Sequence, residues 1–426
     1  MARAKKEAAL TPEERLQAAL VPDWEWPYKL PENWCWVYAP HIFDIEYGKG
    51  LPTKQLSDTG YPVFGANGQI GFYSEYMYKE PQALMSCRGA YSGTMNKSLP
   101  YSYVTSNSLI ISSPRGLMGT DCIYYLFSAL NVSELISGTA QPQVTVQAFD
   151  GFPIPLSPLA EQQRIVDRIE SLFAKLDEAK EKAQAVVDSF ETRKAAILHK
   201  AFTGELTAKW REEHGVSIDN WKTTRFDSVA AIRSNLVDPA EYQSFPHIAP
   251  DNIEKKTGVL LEYHTIAEDG VTSGKHRFYS GQILYSKIRP YLSKAVVVDF
   301  DGLCSADMYP IEAYQNARCL WYYMLSDEFL LQASTAGSRS VLPKINQKEL
   351  SALTVHLPTN DREQEEIARI LDELFDKEQQ TKEAAEIVLD QIELMKKSIL
   401  ARAFRGELGT NDPSEESAVE LLKQII

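Results

Sequence analysis

The sequence has few of the features that usually decide a protein's class quickly. Its five cysteines (Cys35, Cys87, Cys122, Cys304 and Cys319) are odd in number and never spaced as C-x-x-C. That pattern excludes a simple zinc ribbon, provides no disulfide framework and favours a reducing cytoplasm. No run approaches the roughly 18 apolar residues needed to cross a bilayer, and Met1–Leu10 is rich in Lys, Ala and Glu without an apolar signal core. A soluble protein with no membrane contact is expected. G-x-S-x-G, H-E-x-x-H, [ND]-P-P-[FY] and Cys/His clusters are all missing, and the seven histidines are scattered. Gly270–His276 resembles a phosphate loop, but it has three residues between its glycines instead of four, and His276 stands where Ser or Thr would hold magnesium. Gly65–Gly71 has three glycines without the strand-to-helix frame of a dinucleotide site. Both read as turns. No catalytic constellation, metal or cofactor is expected in this chain.

Positive charge is also short, with 44 basic against 58 acidic side chains, a net charge of −14 and a pI near 5.1. This argues against a uniformly basic nucleic-acid coat, though DNA affinity follows local patches and not the total. Split by segment, the net charge is +1 over 1–21, −4 over 22–156, −1 over 157–214, −2 over 215–357 and −8 over 358–426. More than half of the deficit therefore lies in the last sixth of the chain.

What the chain does have is a repeat. Residues 161–206 align without a gap to 363–408 at a constant offset of 202. Glu161-Gln162 matches Glu363-Gln364, Leu172-Phe173 matches Leu374-Phe375, and Ala201-Phe-Thr-Gly-Glu-Leu206 matches Ala403-Phe-Arg-Gly-Glu-Leu408. Upstream the match weakens, with Leu84, Ser86 and Tyr91 facing Leu284, Ser286 and Tyr291 at an offset of 200. Each half is thus a divergent domain followed by a near-constant segment.

The constant segments read as long helices. Apolar or small residues at 165, 169, 172, 176, 179, 183, 186 and 190 follow the alternating three-four spacing of a coiled-coil seam. Ser157 is the expected N-cap with Pro158 at the first helical position, Asn360-x-x-Glu363 reads as a capping box, and Gly204 and Gly406 sit at left-handed C-caps. About 45 residues at ~1.5 Å each make rods of nearly 70 Å. Glu378 and Thr381 fall on seam positions, so pairing is expected to be looser there. Two rods in one chain most simply pack antiparallel; the alternative is that each covers its own globular domain.

The expected fold class is α/β: two mixed α/β domains separated by two long antiparallel coiled-coil helices, forming an internal repeat with pseudo-two-fold symmetry. The boundaries are 1–21 for an N-terminal helical extension, 22–156 for the first variable domain and 157–214 for the central helix. The second variable domain is 215–357, and 358–426 is the distal helix and tail. Thr11–Leu20 and Ser414–Ile426 are expected as short terminal helices that fold back on this chain or bind a partner.

The variable domains carry groove-reading side chains. Arg and Lys suit phosphates and guanine edges, while Asn and Gln suit adenine edges. In the first domain the candidates are Asn67, Gln69, Arg88, Tyr91 and Lys97. In the second they are Lys275, His276, Arg277, Lys287, Arg289, Tyr291, Lys294, Arg339 and Lys344, interleaved with Tyr279 and Tyr285. They lie in loops around 65–71, 86–97, 274–277, 286–294 and 337–344.

Pro155-Leu-Ser-Pro-Leu-Ala-Glu-Gln-Gln-Arg-Ile165, the two Ala-Phe-x-Gly-Glu-Leu helix ends, Leu284-Tyr-Ser-Lys-Ile-Arg-Pro-Tyr-Leu292 and Pro31-Glu-Asn-Trp34 resemble the DNA-specificity subunit of Type I restriction–modification systems. The resemblance covers 22–408. It implies two target recognition domains, each reading half of a split sequence in double-stranded DNA, with the helices as a ruler between them. It also implies two methyltransferase subunits docked on the helical surfaces, and restriction/translocase subunits joining them. AdoMet, ATP and Mg would then belong to those partners. The rival reading is a coiled-coil adaptor whose variable domains bind proteins. Ionic strength separates the two: DNA binding is expected to weaken steeply between low and physiological salt in a mobility-shift titration, whereas a salt-insensitive protein ligand would favour the adaptor.

Overall fold

The computed structural model describes residues 11–337 and 343–425. Two compact units emerge, Met1–Lys182 with Ile387–Ile426, and Ala183–Glu386, so each combines one variable domain with stretches of both long helices.

Both units are built around the same four-stranded antiparallel sheet. In the first its order is Asp44–Tyr47, Ser108–Ser112, Ala83–Ser86, Met95–Lys97; in the second it is Ala230–Ile232, Met308–Ala313, Ile283–Ser286, Ala295–Val297. The register is preserved as well. Leu84 faces Ile110 and Asn96, as Leu284 faces Pro310 and Val296. The central strands Ala83–Ser86 and Ile283–Ser286 are buried at every position, which explains why apolar and aromatic residues follow one another in them up to the closing serine. Helix Thr120–Ala129 covers the first sheet, and Ala317–Met324 with Asp327–Ala336 serves the second. The second sheets differ: three strands in the first unit (Tyr61–Gly65, Gly68–Tyr73, Tyr103–Val104), and five very short ones in the second.

A two-stranded ribbon closes each variable domain and delivers the chain to a long helix. Cys35–Tyr38 pairs with Pro153–Leu156, and Trp221–Arg225 with Thr354–Pro358. The distal helix, Asp361–Ala403, is unbroken over 43 residues. The first is not, because Leu159–Asp188 is interrupted at Ser189 and resumes as Phe190–Phe202. The Ser189 hydroxyl donates to Ala185 O at 2.6 Å, competing with the helix backbone at the break. Within the first unit Lys180 pairs with Glu393 at 2.6 Å and Lys396 with Asp177, so the numbering runs in opposite directions along the two helices. Within the second, Arg193 meets Glu378 at 2.7 Å; the polar seam position is filled by a cross-helix ion pair.

Both helix starts depart from simple capping. Gln162 N bonds to Pro158 O, placing Pro158 before the helix, while Ser157 offers only its carbonyl, to Gln162 Nε2 at 3.1 Å. Asn360 Oδ1 accepts from Glu363 N at 3.3 Å, but the Glu363 side chain does not return to Asn360, so half of the expected box forms. That carboxylate is committed elsewhere. Glu363 is fully buried and accepts from Trp221 Nε1 at 3.0 Å, Asn220 Nδ2 at 2.9 Å, Thr207 Oγ1 at 2.8 Å and Arg211 Nη1 at 2.7 Å. Its counterpart Glu161, equally buried, accepts from Trp34 Nε1 at 2.7 Å, Asn411 Nδ2 at 2.9 Å and Thr410 Oγ1 at 3.2 Å. Each glutamate therefore joins three chain segments: the entry of a variable domain, the start of the helix leaving it, and the turn that follows the other helix. Gly204 (φ +80°) and Gly406 (φ +74°) end the helices in the left-handed region, where a Cβ would also strike Ile218 and Pro31.

The terminal helices fold back. Thr11 forms a full capping box on Pro12–Ala19, and Ala418–Lys423 forms the C-terminal helix, shorter than expected. Ala19, Ala418 and Leu422 lie in the first unit's core with Trp34 and Trp36.

Burial raises the Glu363 pKa, but the hydrogen bonds from Asn220, Arg211, Thr207 and Trp221 outweigh it and hold the carboxyl below its ordinary 4.5. A group so lowered stabilises the fold above the unfolded-state pKa and loses that contribution as pH falls through the folded value. Glu363→Ala strands the buried Arg211 and should cost about 3–5 kcal/mol in urea unfolding at neutral pH. The difference in stability between wild type and Glu363→Gln should shrink as pH drops below about 4.5; a difference unchanged by acid would contradict this account.

Candidate nucleic-acid interface

In the first unit the hairpin Tyr61–Gly65/Gly68–Tyr73 turns through Ala66 and Asn67, with Gly68 at φ +74°. The turn is tied to the central sheet, since Ser86 Oγ donates to Ala66 O and receives Asn96 Nδ2 at 3.3 Å. Asn67 and Gln69 are exposed at the tip. Beside the same sheet, the loop after Ala83–Ser86 is pinned by Gly89 N to Pro142 O at 2.9 Å and Val144 N to Cys87 O at 3.1 Å. Arg88 and Tyr91 are exposed there, and Arg88 bridges to Gln143. Lys97 pairs with Asp121 at 2.7 Å on the surface, an ion pair too solvated to hold it firmly.

The second unit repeats this construction. Arg289 N bonds to Pro343 O at 2.7 Å, Ile345 N to Lys287 O at 2.9 Å, and Ile288 bridges to Lys344, so the loops 286–294 and 343–345 meet. Lys344 Nζ is 3.3 Å and Lys287 Nζ 3.9 Å from Asp307, and Lys287 also donates to Ala306 O at 2.5 Å. Tyr91 and Tyr291 are 49% and 47% exposed at matching places. Two backbone positions match too. Gly89 (φ +78°) and Gly93 (φ +86°) in the first unit correspond to Arg289 (φ +49°) and Ser293 (φ +47°) in the second. A non-glycine residue held in this region costs on the order of 1 kcal/mol, and such residues cluster at functional sites.

Other candidates sit differently. Lys275 and His276 are buried because strand Lys275–Phe278 is an inner strand of the five-stranded sheet. Lys275 donates to Ser273 O at 3.0 Å and Oγ at 2.7 Å, and burial lowers its pKa. His276 is pushed down by burial and then by Lys287, so its ring is neutral at neutral pH. Arg277 is half-buried, its guanidinium over the Tyr279, Tyr242 and Phe245 rings at 4.8, 5.4 and 5.9 Å. Lys294 is turned onto Pro250 O at 2.6 Å, and Tyr285 belongs to the core. Arg339 lies outside the described residues. Sequence reasoning missed Gln143 and Asp307; the first is signalled only by its pairing to Arg88, the second only by its pairing to the two lysines.

Among the described residues no group of His, Cys, Asp and Glu is placed to hold a metal, and no helix is long and apolar enough to cross a membrane. All five cysteines are buried, and burial raises their thiol pKa values, to about 12 for Cys35 and Cys122.

The sequence profile described as "Type I restriction modification DNA specificity domain" matches twice, over residues 31–187 and 218–388. The chain is 34% identical over 405 residues to the Type I restriction enzyme EcoDI specificity subunit of Escherichia coli, spanning 87% of this chain and 89% of that one. It is 25% identical over 331 residues to the EcoKI specificity subunit of Escherichia coli strain K12, spanning 69% and 68%. Its fold is similar to that of the HsdS subunit from Thermoanaerobacter tengcongensis, with TM-score 0.57, 18% identity and coverage of 90% and 99%. It is similar also to a chain solved in work on complex assembly and conformational transition of the type I R-M system, with TM-score 0.66, 19% identity and coverage of 89% and 100%.

Asn67→Ala with Gln69→Ala removes only exposed amides. The unfolding midpoint should hold, while affinity for duplex DNA should fall by about 1–3 kcal/mol for each amide that pairs with a base edge. Fluorescence anisotropy on the assembled complex, beside a thermal melt, checks both.

Proposed function

The chain belongs to the Type I restriction–modification DNA specificity family, and we propose that its two recognition domains each read one half of a bipartite target in double-stranded DNA. A specificity subunit is not itself catalytic. The long helices, paired as an antiparallel coiled coil about a pseudo-two-fold axis, act in this reading as the ruler between half-sites. They also dock two methyltransferase subunits, through which restriction/translocase subunits join in the cytoplasm. AdoMet, ATP and Mg serve those partners.

The observation that carries this reading is the repeated loop pair beside the constant sheet. The same hydrogen bonds, the same left-handed positions and equally exposed tyrosines recur, while the neighbouring side chains change from Arg88 and Gln143 to Lys287, Arg289 and Lys344. A constant frame bearing exchangeable polar side chains suits two modules that grip DNA in the same way through different contacts. The phosphate contacts position each reader and the base-edge contacts specify its half-site.

Co-expression with a cognate methyltransferase, followed by mapping of methylated adenines, should yield one split motif. Inserting four helical residues within 176–190 adds about 6 Å of rise. The unread spacer should then lengthen by about one to two base pairs at ~3.4 Å each, with both half-sites unchanged. An unchanged spacer would sink the ruler.

A further inference from the structure

We infer that Arg289, with Lys287 and Lys344, forms a phosphate clamp in the second unit that the first unit lacks, so the two half-sites are gripped with unequal electrostatic strength. The inference rests on the DNA reading above.

The geometry begins with the backbone. At the position of Arg289 the first unit has Gly89, whose left-handed φ is natural for glycine and whose missing Cβ faces open space. The second unit keeps the conformation, at φ +49°, yet carries arginine. A side chain maintained against a backbone preference that glycine would satisfy without strain points to a role for that side chain. No hydrogen bond or ion pair of the exposed Arg289 side chain occurs among the described residues.

Its neighbourhood is cationic. The Arg289 amide bonds to Pro343 O, which places it beside Lys344, and Lys344 and Lys287 share the single carboxylate of Asp307. Two lysines around one aspartate leave one positive charge, and Arg289 adds a second. Lysine ammonium groups act as point charges on phosphate and carry little base-edge geometry. Three cations in one loop pair therefore suit the DNA backbone. At the equivalent places the first unit has Cys87, Gly89 and Gln143, and Arg88 is the one cation of 86–94 and 142–144.

The test uses the full complex with its methyltransferase. Arg289→Gly should melt no lower than wild type, because it relaxes the left-handed position. It should weaken DNA binding at low salt and make the slope of log affinity against log salt shallower by about one. The methylated motif should not change, and Arg289→Lys should keep the wild-type slope. Should Arg289→Gly unfold, Arg289→Asn, which also tolerates this backbone region, takes its place. An unchanged slope overturns the clamp, and so does loss of discrimination at one base, which would make Arg289 a base reader. A wild-type complex that binds without steep salt dependence, or methylates no split motif, would instead overturn the DNA reading itself.

Discussion

A carboxylate removed from water is tolerable only when donors surround it, and two such carboxylates organise this chain. Glu161 and Glu363 stand at the same step of the two long helices, and each is saturated by groups far away in sequence. The tryptophan that opens a recognition domain, the first turn of the helix that leaves it and the turn that ends the other helix all converge on one side chain. An apolar residue there could fill the volume but could not select three partners. The glutamate's demand for donors fixes how the domain sits on its helices, and both the closing ribbon and the helix ends follow from it.

From that anchor outward, each unit divides into a constant and a variable part. The four-stranded sheet keeps its order and register in both copies, so the loops it presents begin and end at equivalent points. The second sheet has no such obligation and differs in strand number and pairing. Buried central strands resist change because any alteration is felt by the packing on both faces. At a hairpin tip the side chains of Asn67 and Gln69 are exposed, so replacing them disturbs little packing.

Much of this was legible in the sequence where periodicity carried the information. The offset of 202 between the helical segments, the left-handed glycines at 204 and 406 and the terminal helices all correspond to elements that form. The site was legible only in part. Lys275, His276 and Arg277 look like a surface cluster because they are polar and adjacent to a glycine turn, but they lie on an inner strand with a neighbour along each edge, and the first two are buried. Ser189 carries no strong helix-breaking signal, since its effect depends on which carbonyl its hydroxyl finds. Glu363 looks like half of a capping box because the local pattern is that of a box; its true partners lie 142 to 156 residues away. Gly89 opposite Arg289 is readable from the offset of 200, but its meaning requires the backbone angles.

The first unit is assembled from both ends of the chain, whereas the second, Ala183–Glu386, is one continuous stretch. The second unit's core draws only on residues between Ile197 and Phe375. The first unit must wait for Phe404, Ala418 and Leu422 to emerge before its core, which already includes Trp34 and Trp36, can close. The half of the protein translated first is thus the half whose core draws on residues translated after those of the other.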